Sequence, residues 1–188
     1  VVGDFGRHLD EIPEGDHRLI IFLGSTIGNF EAPAARRFLR RVAEPMLPGD
    51  FFLLGVDLIK DTRVLEAAYN DARGLTARFN RNILRVVNDR FGGDFEPAAF
   101  RHRAFFDPER EWIEMRLVSE RRQRVGLAAL DLSFELAPDE EILTEISTKY
   151  TRDKTESLLA DGGFQLDQWW TDEREYFGLA LARRFEGS

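Results

Sequence analysis

The chain has 188 residues, with 26 Lys and Arg against 34 Asp and Glu for a net charge of -8, and 43% of it is hydrophobic. That fits one ordinary soluble domain, or one with a small appendage; no window approaches the roughly 18 uninterrupted apolar residues of a membrane span, and the acidic balance argues against a nucleic-acid binder driven by phosphates. Cysteine is absent, which removes disulfide frameworks, thiolate metal sites and cysteine nucleophiles and, with no targeting segment, fits a cytoplasmic setting. The chain opens Val1-Val2-Gly3-Asp4-Phe5 with its first Met at 46, a start inside an apolar run that reads as a piece of something longer.

Leu19 to Leu23 form a short continuous apolar run closed by Gly24-Ser25, which predicts a strand buried on both faces, as in a parallel sheet. A helix should follow over 33–46. Pro33 suits a first turn, Phe38, Leu39, Val42 and Met46 share one face, and Arg36, Arg37, Arg40 and Arg41 spread over the rest. Leu47-Pro48-Gly49-Asp50 breaks that helix, and Phe51 to Val56 gives a second buried strand, completing a βαβ unit. Residues 61–90 carry helical periodicity interrupted at Gly74, giving two helices or one bent one. From 103 to 149 the period is two. Ile113, Met115 and Leu117 alternate with Trp112, Glu114 and Arg116, and Leu130, Leu132, Phe134 and Leu136 alternate with polar residues, which predicts antiparallel strands with one buried face. Thr151 is placed as an N-cap, Leu158 and Leu159 lie inside a helix closed by Gly162-Gly163, and 164–170 with 176–184 form a terminal β-hairpin. In open α/β sheets ligands sit beyond the carboxyl ends of the parallel strands. That puts Asp4-Phe5, Gly24 to Asn29 and Asp57 near one crevice, with the insert from about 60 to 149 as a lid or second wall.

Gly24-Ser25-Thr26-Ile27-Gly28-Asn29 allows close backbone approach to a ligand, and Asn29 offers both donor and acceptor. The plainer alternative is a βα turn with Asn29 as helix N-cap. Asp4-Phe5, at what looks like another strand end, offers a carboxylate for a ligand amine and an aromatic for a flat ring; a turn aspartate beside a core phenylalanine is the alternative. Glu145 and Ser147 are two apart in a period-two segment and project from one face, where a carboxylate and a hydroxyl can read the two nitrogens of an imidazole, or simply form an exposed polar face. Tyr69 and Met115 are ordinary core residues unless Tyr69 turns its hydroxyl to the crevice. His8, His17 and His102 are scattered and predict no metal site, no serine sits in a nucleophile elbow, and Glu140-Glu141 reads as a solvated loop pair.

Eight stretches in order carry a resemblance: Gly3-Asp4-Phe5, Phe22 to Phe30, Gly55-Val56-Asp57-Leu58, Ala68-Tyr69-Asn70-Asp71, Phe79-Asn80-Arg81-Asn82, Glu111 to Arg116, Thr144-Glu145-Ile146-Ser147 and Trp169-Trp170-Thr171-Asp172. Together they resemble the C-terminal portion of the histidine Nα-methyltransferase family, the S-adenosylmethionine-dependent enzymes of ergothioneine biosynthesis. The resemblance implies an α/β fold, a class I Rossmann-like methyltransferase sheet with an inserted α+β substrate-binding domain. Residues 1–59 would be the C-terminal part of the core, 60–149 the insert, and 150–188 the return to the core. It implies that Asp4 and the Phe5 backbone contact the adenine of S-adenosylmethionine, that Asn29 and Tyr69 hold the substrate carboxylate, and that Gly24 lines the transfer site. Glu145 and Ser147 would bind the imidazole and Met115 would pack against it, a pairing of Met and Glu that goes with histidine rather than a larger indole. Ile146 stands where the family has threonine, on the opposite side of the strand. The glycine-rich cofactor loop, the ribose-binding acid and an N-terminal substrate-binding tyrosine have no counterpart here; they would lie before Val1, in a segment expected to complete the fold. The implied partner is a small-molecule amino-acid substrate, histidine, with no metal, nucleic acid or membrane. Two alternatives stand beside this: a methyltransferase of tryptophan or tyrosine on the same scaffold, or a non-catalytic fragment lacking the cofactor loop.

Overall fold

A computed structural model describes residues 3–9, 12, 13, 15 and 17–185. In chain order the main elements are β1 (Leu19–Phe22), α1 (Ala32–Ala43), β2 (Phe51–Asp57), α2 (Thr62–Tyr69), α3 (Leu75–Phe91), β3 (Phe100–Asp107) and β4 (Trp112–Ser119), followed by β5 (Gln123–Leu127), β6 (Leu132–Leu136), β7 (Glu141–Thr148), α4 (Arg152–Asp161), β8 (Phe164–Thr171) and β9 (Phe177–Arg184). They form two compact units, one of Val1–Lys60 with Ser147–Ser188 and one of Asp61–Ile146, and the chain passes from the second back to the first within β7.

The first unit is built on a sheet in the order β1-β2-β9-β8. β1 runs parallel to β2, with Leu19 opposite Phe51, and β9 pairs antiparallel with both β2 and β8. The βαβ unit and the closing hairpin are therefore as the periodicity predicts. Pro33 sits in the first turn of α1, and Phe38, Leu39 and Val42 pack that helix onto the sheet with Met46 beyond its end. Phe52, Leu54 and Val56 of β2 are fully buried, and the Phe52 and Phe164 rings stack with centroids 5.2 Å apart. Burial of each such side chain is worth about 1.5–3 kcal/mol. Thr151 caps α4, its hydroxyl accepting from the Lys154 N–H, as expected.

The burial expected for β1 is not found. Leu19, Ile21 and Leu23 are 52%, 53% and 47% exposed, whereas Ile20 and Phe22 pack on the core. A continuous apolar run specifies an extended strand, but burial of both faces needs a layer on each side, and among the described residues β1 is an edge strand that meets the core through Ile20 and Phe22.

In the second unit Gly74 separates α2 from α3, taking the left-handed conformation (φ 64°) that glycine adopts without a Cβ penalty. β3, β4 and β7 make one sheet and β5-β6 a two-stranded ribbon. Ile113, Met115 and Leu117 are buried as the alternation predicts, yet Glu114 is buried as well. Its carboxylate accepts from Arg116, Trp112 and Arg110, which supply the donors burial requires. Two readings need correction. The apolar run from Leu130 begins as a turn, because Ala128–Leu130 is a single 3-10 turn; β6 starts at Leu132, which is exposed, and only Leu136 is buried. Glu141 is not a solvated loop residue but opens β7, ion-paired to Arg103 at 2.5 Å and Arg116 at 2.9 Å.

Candidate functional site

The turn after β1 places Gly24 and Asn29. Gly24 and Ser25 are both left-handed (φ 76° and 56°), and a 3-10 turn over Thr26–Asn29 follows, closed by the Gly28 N–H donating to the Ser25 carbonyl at 2.8 Å. A Cβ on Gly28 would lie 2.8 Å from the Thr148 carbonyl oxygen, so glycine lets this turn rest directly on the backbone at the end of β7. Asn29 does not cap α1: the N-cap position is Glu31, and Asn29 is exposed at the end of the turn.

The carboxyl end of β2 joins the same cluster. The Asp57 N–H donates to Ser25 Oγ at 2.9 Å. The Asp57 carboxylate takes Lys60 Nζ at 2.5 Å and Lys149 Nζ at 2.9 Å. Lys149 is fully buried and also donates to Ser147 Oγ at 2.8 Å. Beyond it the Tyr150 N–H bonds the Asp57 carbonyl, and burial pushes the Tyr150 hydroxyl up to about 12. The first unit thus brings Gly24, Asn29, Asp57 and Ser147 to one end of its sheet, the end where open α/β sheets bind ligands.

Asp4 and Phe5 stand in a turn; a strand leading into them would occupy residues outside those described. Asp4 Oδ1 accepts from the Gly6 N–H at 2.7 Å, and Phe5, 46% exposed, meets Phe22 and Phe38 edge-on with centroids 5.3 and 5.9 Å away. They border a cavity of about 340 Å³ whose walls include His8, Ile20, Phe22 and Phe38. Aromatic and aliphatic walls with a carboxylate at the rim suit a flat heteroaromatic amine, so these residues fit the adenine of S-adenosylmethionine.

In the second unit Tyr69 ends α2 and packs with Leu65, Ala104, Ile113 and Met115. Its carbonyl accepts from His102 Nε2 at 2.9 Å, so that nitrogen carries the proton, and His102 Nδ1 accepts from the buried Asn80 amide, also at 2.9 Å. Asn70 ties the helix end to β3 through the Ala104 carbonyl at 3.0 Å. Glu145, half-buried on β7, lines a cavity of about 260 Å³ with Phe79, Asn80, Asn82, Ile83 and Thr144. Thr144 Oγ1 donates to the Met115 carbonyl at 2.9 Å, so the strand bearing Glu145 is fastened to the one bearing Met115.

Sequence reasoning gave no site role to Lys149, Asn80 or His102. For Lys149 the signal was present, since it continues the spacing of Glu145 and Ser147 by two. Asn80 and His102 carry no local signal, because their link to Tyr69 spans three elements. Among the described residues no cluster of three or more His, Asp or Glu is placed to hold a metal, and no helix is long and apolar enough to cross a membrane.

The family described as "Histidine-specific methyltransferase, SAM-dependent" matches residues 1–184. A histidine N-alpha-methyltransferase of Mycolicibacterium smegmatis is 47% identical over 184 residues, 98% of this chain and 57% of that protein. Ergothioneine biosynthesis protein 1 of Neurospora crassa is 30% identical over 95% of this chain and 20% of its own length. Among solved structures, the CcbJ methyltransferase from Streptomyces caelestis aligns with a TM-score of 0.48 at 13% identity, over 98% of this chain and 67% of that one. The chain spans 57% of the length of the mycobacterial relative. With a family match running over 184 of its 188 residues, the chain belongs to the S-adenosylmethionine-dependent histidine-specific methyltransferases.

Proposed function

We propose that the protein carrying this chain transfers methyl groups from S-adenosylmethionine to the α-nitrogen of L-histidine, giving trimethylhistidine for ergothioneine biosynthesis, and that it works in the cytoplasm. The 47% identity to a histidine N-alpha-methyltransferase over nearly the whole chain carries the reading. The Glu145–Ser147 pair supports it from physical chemistry.

Glu145 and Ser147 would bind the imidazole, Met115 would pack against it, and Asn29 and Tyr69 would hold the carboxylate, so that both ends of histidine are fixed. Asp4 and the Phe5 backbone would contact adenine, and Gly24, without a side chain, would line the path of the methyl group. Residues 60–149 would then act as the substrate-binding insert of a Rossmann-like core. S-adenosylmethionine supplies a methyl group on a sulfonium. As the amine lone pair forms the new N–C bond, the S–C bond breaks with its electrons to sulfur, and the ammonium product loses a proton before the next round. What the chain contributes is alignment of a neutral amine rather than a strong acid or base, worth several kcal/mol when orientation is good. An unpaired buried polar group costs about 1–3 kcal/mol, so the imidazole contacts also reject side chains that cannot pair with them.

The test is Glu145→Ala in the full-length protein, assayed against histidine, tryptophan and tyrosine. Histidine kcat/KM is expected to fall about 100-fold, roughly 3 kcal/mol, with S-adenosylmethionine affinity within twofold. Unchanged histidine kinetics, or preferred turnover of tryptophan or tyrosine by the unaltered protein, would reject the assignment.

A further inference from the structure

We infer that Asn80 and His102 are positioning residues that set where Tyr69 stands at the end of α2, and through it how the substrate carboxylate is held; this rests on the histidine reading above. The Tyr69 carbonyl can only accept, so His102 Nε2, 2.9 Å away, is the donor, and in the neutral ring Nδ1 then accepts. Asn80 meets that lone pair with its amide nitrogen at 2.9 Å. Which way the amide faces is decided by a further group, the Arg116 backbone carbonyl, 3.1 Å from the same nitrogen. Turning the amide over would set its oxygen against this carbonyl, so the relay runs with one polarity from Asn80 to Tyr69. Asn80 is buried, where a polar side chain is costly unless it is bonded, and an apolar replacement would remove both of these bonds.

The relay draws on four elements of the second unit and ends at one backbone atom. Asn80 comes from α3, Arg116 from β4, His102 from β3, and Tyr69 is the last residue of α2. The last four carbonyls of a helix have no partner within it, and helix ends fray. In a helix of 8 residues that is half of the carbonyls, Tyr69's among them. β3 is an edge strand, and two of its residues also tie down α2: the Ala104 carbonyl accepts from Asn70 at 3.0 Å, and the Phe106 N–H donates to Glu66 Oε1 at 3.1 Å. Of these three ties, that of His102 is the one made at Tyr69 itself, and it is braced from behind by Asn80. Holding a residue's carbonyl holds the rigid peptide plane that leaves its Cα, and with it the direction of the side chain.

The experiment uses the full-length protein with His102→Leu, His102→Gln, Tyr69→Phe and the double variant of His102→Leu with Tyr69→Phe, reading KM and kcat for histidine, S-adenosylmethionine affinity by calorimetry, and thermal melting. His102→Leu is expected to raise KM for histidine about tenfold, with kcat within threefold and cofactor affinity within twofold. His102→Gln, whose amide offers both a donor and an acceptor, should bring KM back to within about threefold of the unaltered protein. The double variant should be no worse than Tyr69→Phe, because the relay acts through that residue. Asn88→Ala is the comparison for plain destabilisation: it cuts a clamp on the Phe95 backbone at the other end of α3 and is expected to lower the melting temperature with histidine KM within about twofold. An unchanged KM in His102→Leu, no recovery in His102→Gln, a double variant worse than Tyr69→Phe, or an equal KM change in Asn88→Ala overturns the proposal. If His102→Leu melts below the assay temperature, Asn80→Ala goes through the same cycle with Tyr69→Phe under the same criteria. A Tyr69→Phe effect without a His102 effect refutes this inference alone, whereas a full-length protein that does not methylate histidine refutes the reading beneath it.

Discussion

The two ends of β2 each carry an aspartate held by basic side chains, and the two are used differently. Before the strand, Asp50 is 1% exposed, and its carboxylate accepts from Arg18 Nε at 3.0 Å and Nη2 at 2.6 Å and from the backbone N–H groups of Arg18 and Leu47. Arg18 also donates to the Pro13 and Pro45 carbonyls. The Arg18 hydrogen bonds hold the Asp50 carboxyl down at about 2. After the strand, Asp57 pairs with Lys60 and with the buried Lys149, which also donates to a serine hydroxyl. The first carboxylate is buried with its arginine before the strand begins, whereas the second, where the strand ends, is 22% exposed. In an open α/β sheet the carboxyl ends of the parallel strands are where ligands bind, and the two carboxylates divide along that polarity.

Changes at the amino end should therefore move stability and leave substrate affinity alone. Asp50→Ala removes the carboxylate partner of the part-buried Arg18 guanidinium and is expected to cost roughly 3 kcal/mol of unfolding free energy in urea, while KM for histidine in the full-length protein stays within twofold. A tenfold KM change would erase the contrast between the two ends. Asp50 also predicts an acid limb. Because its folded pKa, about 2, lies below the ordinary value of 3.8, its contribution is complete above pH 4 and is lost as pH falls from about 4 to 2. The shift corresponds to about 2 kcal/mol. Urea melts across that range should show this loss in the unaltered chain and a shallower one in Asp50→Asn; equal slopes would remove Asp50 as its source. The smallest effect is at Thr151, the cap of α4 just past Lys149. Thr151→Ala should cost about 1 kcal/mol with histidine KM within twofold, whereas a tenfold change in KM would tie the start of this helix to substrate binding.

Much of the fold was legible in local pattern. The apolar runs of β1 and β2, the helical spacing through Phe38, Leu39 and Val42, the break at Gly74 and the alternation through Ile113, Met115 and Leu117 each reflect a periodicity that backbone geometry imposes. Failures came where burial depends on what lies across a face: Leu19 and Ile21 are exposed on an edge strand, and Glu114 is buried because Arg116, Trp112 and Arg110 converge on it. The site divides the same way. Glu145 and Ser147 could be paired from their spacing of two along one strand, and the eight matching stretches carried the family.

By itself, then, the sequence determined which segments are strands and helices, the family to which they belong, and the residue types suited to reading an imidazole. Only the tertiary structure decided that Asp57, at the end of one strand, and Lys149, just past the end of another, meet at Ser147, and that Asn80 reaches the Tyr69 backbone through His102. The physical reason is that local periodicity specifies the direction of a side chain along its own element. The charge it must satisfy and the proton it must give or take are set by neighbours distant in sequence, and packing alone brings those together.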